Sequence, residues 1–195
     1  MSKIVQWNCR GIKPNLPEVQ QLLNSLEPVA LCLQETYLTS NTINIEHNKH
    51  KRYALYTKNN IILGERAHGG VALLISKSIP HSEINLTTPL QAVAVRLTLH
   101  KVISLRSLYL PPSTAIDIRK LEDLLNHLPP PTVILEDFNA HSPIWGCRDL
   151  DIKGKQIEDF IANNNLFLLT LVLLTGYFCT PPELCNPDTR LLVKL

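Results

Sequence analysis

The chain has 195 residues, of which 45% are hydrophobic, so it can bury one sizeable core and a single domain is the default expectation. Its formal net charge of +2 permits a polyanionic partner but does not by itself argue for one. Residues 1–7 are too few and too polar for a secretory signal, and the longest apolar run, residues 166–174, is far shorter than the ~20 residues that span a bilayer. We therefore expect an intracellular protein without a membrane segment, and the five irregularly spaced cysteines predict reduced thiols.

The first third of the chain predicts a β-α-β unit. Residues 3–8 and 29–34 are continuous apolar runs of strand length, and residues 17–27 between them have helical periodicity, with Pro17 suited to the first turn. The apolar face of this predicted helix consists of Val19, Leu22, Leu23 and Leu26. Uninterrupted apolar strands joined by a helix indicate a sheet that is covered on both faces.

A polar loop, residues 36–52, comes next and ends in the basic run 47–52. Lys49, Lys51 and Arg52 in this run have two interpretations. Such a run is commonly a solvated charged surface, but it can also contact the phosphates of a nucleic-acid backbone. The sequence leaves both interpretations open.

The rest of the chain predicts antiparallel strands, followed by helices that alternate with strands. Apolar alternation or continuous apolar runs predict the strands 71–75, 91–99, 102–108, 132–136 and 166–174, and helical periodicity predicts the helices 114–128 and 154–163. This order indicates an α+β fold, a four-layered α/β sandwich in which two packed mixed sheets carry helices on their outer faces.

Polar side chains stand where several of these strands end. Asn8 and Glu35 end the first two apolar runs, Tyr109 ends a later one, and Asp137 and Asn139 follow the run that begins at residue 133. We expect the backbone to stay extended here, so that Asn139 points to the same side as Asp137. In open α/β sheets this edge is where ligands bind. Mg²⁺ takes oxygen ligands and uses only one or two protein carboxylates, which fits Glu35, while Asp137 fits a residue that orients or deprotonates a water molecule. The set therefore predicts metal-assisted phosphoester hydrolysis.

Each of these residues also has an ordinary structural explanation. Glu35 can begin a turn, and Tyr109 can simply pack with its hydroxyl in water. Asp137 and Asn139 are common in turns because their side chains hydrogen bond to the local backbone. Spacing alone does not decide between the catalytic and the structural explanation.

Four segments occur in an order and at a spacing that resemble the endonuclease/exonuclease/phosphatase superfamily, which has the fold of DNase I. They are residues 6–11 (Gln-Trp-Asn-Cys-Arg-Gly), 34–36 (Gln-Glu-Thr), 108–112 (Leu-Tyr-Leu-Pro-Pro) and 137–141 (Asp-Phe-Asn-Ala-His). Residues 145–146 and 154–158 extend a closer similarity to the apurinic-type endonuclease domain of jockey-like non-LTR retrotransposons. The resemblance runs from about residue 3 to residue 169, so we expect residues 1–169 to form this domain, in truncated form, and residues 170–195 to be a divergent tail.

The resemblance implies a Mg²⁺-dependent endonuclease, with Mn²⁺ as an alternative cation, that nicks chromosomal DNA so that the freed 3′-OH primes reverse transcription. It places Asn8 and Glu35 at the metal and the phosphate, and Tyr109 in contact with the phosphate. It implies that Asp137 activates or positions the water and that Asn139 stabilises the transition state. DNA as partner, a reverse transcriptase domain in the intact element, a nuclear location and a monomeric state are further expectations.

The sequence departs from the family pattern in two places. The family continues with a strand that carries a Ser/Ala-Ile-Asp motif and with a terminal Ser-Asp-His segment, but no His or Ser follows Ser142 in this chain. We therefore expect an incomplete second sheet, and frame-shifted coding is one hypothesis for residues 170–195. Glu136 also stands where the family usually has Gly, and we expect its charge to raise the pKa of Asp137 or to crowd the metal.

Three functions follow from these observations. The first is a retrotransposon endonuclease domain with impaired turnover, because loss of one preorganised donor alone costs roughly 10²–10³ in rate. The second is a phosphoesterase of the same fold that acts on a phospholipid or phosphoinositide, against which the sequence contexts of Trp7 and Trp145 argue. The third is a non-catalytic remnant that binds nucleic acid weakly, which the missing His favours.

Overall fold

The computed structural model describes residues 2–38, 53–58, 68–169 and 189–194. The strands are β1 (Ile4–Asn8), β2 (Ala30–Gln34), β3 (Tyr53–Lys58), β4 (Val71–Ser76), β5 (His81–Ile84), β6 (Gln91–Thr98), β7 (Val102–Tyr109), β8 (Thr132–Asp137), β9 (Phe167–Leu169) and β10 (Thr189–Lys194). The helices are α1 (Leu16–Leu26), α2 (Ile118–Asn126), α3 (Ile152–Asn163) and a short 3₁₀ helix, Pro143–Trp145. Among the helices of these ranges, none is both long and apolar enough to cross a membrane.

The strands form two mixed sheets, which confirms the predicted α+β architecture. The first sheet has the order β1-β2-β4-β3, and the second has the order β5-β6-β7-β8-β10-β9. The pairs β1–β2 and β7–β8 are parallel, and α1 and α2 are their respective crossovers. The remaining neighbours are antiparallel, because they are joined by hairpins or by returning connections.

Three apolar clusters hold the four layers together. Alternation along β2 points Leu31 outward against α1 and Cys32 inward between the two sheets. On the other side of the sandwich, Leu124 of α2 and Phe160 of α3 pack on the outer face of the second sheet, against residues such as Ile134. Each sheet is therefore buried on both faces, as the continuous apolar strands predict.

The structure differs from the predicted elements where local patterns were weak. The sequence interpretation missed β3 and β5, and β5 is short and largely polar. The helix predicted to begin at residue 114 begins at Ile118, where Asp117 makes no side-chain capping bond and instead pairs with Lys120 at 3.3 Å. α3 begins earlier than predicted, because the Asp151 carboxylate accepts the Gly154 backbone N–H at 2.5 Å.

The C-terminal segment contributes a strand to the second sheet. β10 lies between β8 and β9 and is antiparallel to both, with Leu191 opposite Leu135 and Leu169. The predicted boundary at residue 169 stays a prediction, and β10, which lies beyond it, hydrogen bonds to β8 and β9. We expected an incomplete second sheet because the family's late motifs are absent, and residues 189–194 form a strand of that sheet beside β8. Residues 170–174 of the predicted strand 166–174 lie outside the described residues.

Candidate active site

The ends of β1, β2, β7 and β8 meet at one edge of the sandwich. Strand register places Asn8 opposite Gln34, next to Glu35, in the first sheet, and it places Tyr109 opposite Asp137 in the second. Face-to-face packing of the sheets then brings these two pairs together. The predicted convergence of these polar side chains is therefore present in the structure, while their chemical roles stay predictions.

The Asn8 side chain bridges the two carboxylates. Its Nδ2 atom donates to Glu35 Oε1 at 2.8 Å and to Asp137 Oδ2 at 2.5 Å. Its Oδ1 atom accepts the backbone N–H of Arg10 at 3.2 Å, which fixes the direction of the amide. The sequence placed Asn8 at the metal; here its amide nitrogen lies between the two acidic groups.

Asp137 is fully buried, and its carboxylate also shapes the backbone that follows it. Asp137 Oδ1 accepts the backbone N–H of Asn139 at 3.1 Å, and Asn139 has a left-handed φ of 48°. We expected Asn139 to continue the extended strand, but β8 ends at Asp137 because this local bond turns the chain. The Asn139 side chain instead donates through Nδ2 to the Leu110 carbonyl at 3.0 Å.

Glu35 is surrounded by hydrogen-bond donors. The Tyr37 hydroxyl donates to Glu35 Oε2 at 2.5 Å, and the Tyr109 hydroxyl also hydrogen bonds to this carboxylate. Burial raises the pKa of Tyr109 above its usual range, and the negative charges of Glu35 and Asp137 add to the effect. Tyr109 is therefore a neutral phenol that donates at physiological pH, although its acceptor in this structure is Glu35.

The two carboxylates fit a hard divalent cation. Glu35 and Asp137 are both within hydrogen-bond distance of one amide nitrogen, so their negative charges lie close together. A cation between like charges relieves their repulsion, and Mg²⁺ commonly binds through only one or two carboxylates with water and phosphate oxygens completing its coordination. Across residues 2–38, 53–58, 68–169 and 189–194, no group of three or more His, Cys, Asp or Glu could hold a metal ion, so this pair is the acidic set to consider.

Glu136 lies on the opposite face of β8 from Asp137. Residues next to each other on a strand point to opposite faces, so Glu136 is buried with Ile134 on the helix-covered face of the second sheet. Fully buried Arg106 lies on this face of β7, and the Glu136 charge opposes the lowering of the Arg106 pKa by burial. The expectation that Glu136 crowds the metal is wrong, because strand alternation turns its side chain away from the site.

A layer of polar side chains between the two sheets supports the site and was missed by sequence reasoning. Gln6 Nε2 donates to the Glu136 carbonyl at 2.8 Å, which ties β1 to β8 across the interface between the sheets. Gln34 Nε2 donates to Ser107 Oγ at 3.0 Å and makes the same kind of link between β2 and β7. Gln34 directly precedes Glu35, and Gln6 and Ser107 lie two positions before Asn8 and Tyr109, respectively. Polar residues inside otherwise apolar strands are the signal that could have found them.

Gly154 allows α3 to approach the loop after β8. A Cβ atom at this position would lie 1.8 Å from the His141 carbonyl oxygen, so only Gly permits this contact. The His141 carbonyl also accepts the Asp151 N–H at 3.1 Å, and Ser142 donates to Glu158 of α3. These contacts fix the segment that follows Asn139.

Two histidines lie near these residues. The His141 side chain is exposed in the loop that follows Asn139. His68 is also exposed, but its ring meets the Tyr37 ring edge-on with 6.3 Å between centroids. Lys49, Lys51 and Arg52 lie outside the described residues.

Comparison with known proteins supports the predicted family. A family model described as "Endonuclease-reverse transcriptase" matches residues 103–179. A probable RNA-directed DNA polymerase from transposon X-element of Drosophila melanogaster is 28% identical over 170 residues, which is 84% of this chain and 18% of that protein. The chain thus spans less than a fifth of this curated relative.

The resemblance to the endonuclease/exonuclease/phosphatase superfamily is confirmed. The chain is similar to the endonuclease domains of non-LTR retrotransposons. Among solved structures, the endonuclease domain of TRAS1, a telomere-specific non-LTR retrotransposon, has a TM-score of 0.71 at 16% identity. The match covers 96% of this chain and 82% of the TRAS1 chain. The 3'-5' exonuclease NExo from Neisseria meningitidis has a TM-score of 0.67 at 17% identity, with 97% and 86% coverage. At these identities the likeness establishes the fold alone, which is that of DNase I.

Proposed function

We propose that this endonuclease-like domain hydrolyses phosphodiester bonds of DNA with a divalent cation, Mg²⁺ or Mn²⁺, held at Glu35, and that this chain by itself turns over slowly. The observation that carries the proposal is the pair of carboxylates, Glu35 from one sheet and Asp137 from the other, within hydrogen-bond distance of Asn8 Nδ2. A purely structural role does not account for two acidic groups brought together at a strand-end edge. Nucleases and phosphatases with this fold support the reaction class.

The side chains have distinct tasks in this proposal. When bound, the cation supplies Lewis-acid stabilisation of charge on the phosphoryl oxygens. Glu35 holds it, and Asp137 orients a water molecule and accepts its proton through a carboxylate oxygen. Tyr109 remains protonated and donates its hydroxyl to the phosphate in place of Glu35. Asn139 uses one amide hydrogen on the Leu110 carbonyl, which leaves its second for a charged phosphoryl oxygen.

Slow turnover is proposed because the residues after Ser142 include neither His nor Ser. The family's late motifs supply an Asp that orients and a His that stabilises charge on the phosphate. Removal of one preorganised donor costs roughly 10²–10³ in rate, and two such losses act together without being additive. Glu35 itself does not belong to these motifs, so we expect it still to bind the metal.

The partners and the place of action are part of the same proposal. The full-length transposon relative is described as an RNA-directed DNA polymerase, which supports a reverse transcriptase domain in the same element. Lys49, Lys51 and Arg52 are proposed to contact DNA phosphates, with the domain acting as a monomer in the nucleus. Alanine at all three positions should weaken DNA binding and should reduce the slope of log affinity against log salt by up to about 3, since each phosphate contact contributes about 0.9. An unchanged salt slope would assign the basic run to a solvated surface.

A plasmid-nicking assay tests the proposed activity. The purified chain is incubated with supercoiled DNA and Mg²⁺ or Mn²⁺, beside EDTA controls, the variant Asp137→Ala and the matched variant Asp123→Ala, which removes an exposed carboxylate of α2. Slow nicking that is lost in EDTA and in Asp137→Ala, but is kept in Asp123→Ala, supports the proposal. Folded protein that binds DNA without nicking it would favour the non-catalytic remnant. Cleavage of a phosphoinositide without DNA nicking would favour the lipid phosphoesterase.

A further inference from the structure

Tyr37 is a residue of the site to which the sequence comparison assigns no role. It lies two positions after Glu35, and both residues have left-handed backbone conformations, with φ of 50° and 51°. Such conformations are uncommon outside Gly and persist when surrounding contacts hold them. Here the Tyr37 N–H donates to the Gly69 carbonyl at 2.9 Å and the Glu35 carbonyl accepts the Gly11 N–H at 2.7 Å. The backbone that carries both side chains is therefore fixed from two sides.

The Tyr37 ring is also held in place. Gly11 has a φ of 103°, and a Cβ atom there would lie only 3.2 Å from Tyr37 Cδ2, so the absence of a side chain makes room for the ring. The ring of His68 meets Tyr37 edge-on at 6.3 Å. A phenol has an ordinary pKa of about 10, so the Tyr37 hydroxyl is a donor at neutral pH. A rigid, protonated phenol thus faces the carboxylate.

The hydroxyl sets the orientation of Glu35. Tyr37 donates to Oε2 at 2.5 Å while Asn8 Nδ2 donates to Oε1 at 2.8 Å, so each carboxylate oxygen has its own fixed donor. Each oxygen retains lone-pair capacity for a further ligand. A metal ligand that is already oriented loses less conformational freedom on binding, and removal of such an outer partner typically lowers metal affinity 10–100-fold.

We propose that Tyr37 is a positioning residue that orients Glu35 and thereby sets the affinity of the domain for its divalent cation. This inference rests on the proposed function only in taking Glu35 as a metal ligand. Tyr37 itself contacts neither the cation nor the scissile phosphate. Its contribution is expressed through the carboxylate that it holds.

The test is a titration of the whole purified chain with Mn²⁺, followed by electron paramagnetic resonance of the free ion, for wild type, Tyr37→Phe, Tyr56→Phe and Glu35→Gln. Tyr56 is the matched control, because it is a half-buried tyrosine whose ring likewise meets a histidine edge-on, His81 at 5.8 Å. It lies on β3, which β4 separates from the end of β2 that carries Glu35. Melting temperatures in EDTA report whether either hydroxyl matters to the fold itself.

We expect Tyr37→Phe to raise the Mn²⁺ dissociation constant about 10–100-fold with a melting temperature in EDTA close to that of Tyr56→Phe, while Tyr56→Phe binds like wild type. Equal Mn²⁺ affinity of Tyr37→Phe and wild type would overturn the inference. Failure of the wild type to bind Mn²⁺, or unchanged Mn²⁺ affinity in Glu35→Gln, would overturn it as well. If the chain binds Mn²⁺ through Glu35 but does not nick DNA, the proposed function is refuted and this inference is not. The Mn²⁺ affinities of wild type and Tyr37→Phe would still decide whether Tyr37 orients Glu35.

Discussion

Neutralising Glu136 should destabilise the domain strongly, although this residue takes no part in the chemistry. Glu136 and Arg106 are both fully buried beneath α2 and α3. Strand register puts Leu108 opposite Glu136, so Arg106 is the diagonal neighbour on the same face of the sheet. No hydrogen-bond acceptor for the three guanidinium nitrogens of Arg106 exists in the part of the chain that the structure describes. The negative charge of Glu136 therefore stabilises the buried Arg106 guanidinium, which cannot lose its proton.

The expected magnitude follows from this burial. Removal of one partner of a buried ion pair costs about 3–5 kcal/mol, whereas an exposed pair contributes only about 0–1 kcal/mol. Glu136 acts electrostatically on fully buried Arg106, so removal of its charge should cost an amount of the buried order. Glu136→Gln keeps the size of the side chain and removes the charge. With a urea m-value of roughly 2 kcal/mol/M, the unfolding midpoint should fall by about 2 M.

The assay is urea unfolding at neutral pH, followed by tryptophan fluorescence, for Glu136→Gln and for Asp159→Asn. Asp159 is the matched control, since its pair with Lys155 at 2.9 Å is exposed on α3. The double variant Arg106→Met/Glu136→Leu should recover most of the loss, because apolar replacement of a buried pair is often neutral or stabilising. A loss below about 1 kcal/mol in Glu136→Gln, similar to that of Asp159→Asn, would refute the reasoning.

Two further predictions concern stability. Gly154→Ala should lower the free energy of unfolding by about 2 kcal/mol or more, because the added Cβ meets the His141 carbonyl oxygen and the loop after Asn139 must shift; an unchanged urea midpoint would contradict this. The domain should also lose stability as pH rises from about 9 towards 12. Burial raises the pKa of Cys9 from 9.0 to about 12 and raises that of Cys32 further, so the unfolded chain releases thiol protons that the folded chain retains. Unfolding free energies measured in reducing buffer at pH 8 and pH 10.5 check the sign, and a flat profile would show that these thiols ionise equally in both states.

Much of the candidate site was accessible from the sequence, because its residues mark the ends of strands with clear apolar patterns. The ends of β1, β2 and β8 are local features that a short window of sequence reveals, and the motifs around Asn8, Glu35 and Asp137 stand there. The details of geometry were not accessible. The turn at Asn139 depends on a hydrogen bond from its own N–H to the Asp137 carboxylate. The expectation of an extended backbone at Asn139 did not take this local hydrogen bond into account.

The sequence by itself determined the layered α+β class, the β-α-β start and the positions of the five predicted site residues, because each depends on periodicity or on neighbours within a few residues. Only the tertiary structure decided that Asn8 reaches both Glu35 and Asp137, since residues 129 positions apart meet through the packing of two sheets. It likewise decided that Glu136 faces the helices and that β10 fills the place beside β8. These outcomes depend on how entire sheets and helices pack, and a contact between distant segments leaves no periodic trace in the sequence of either one.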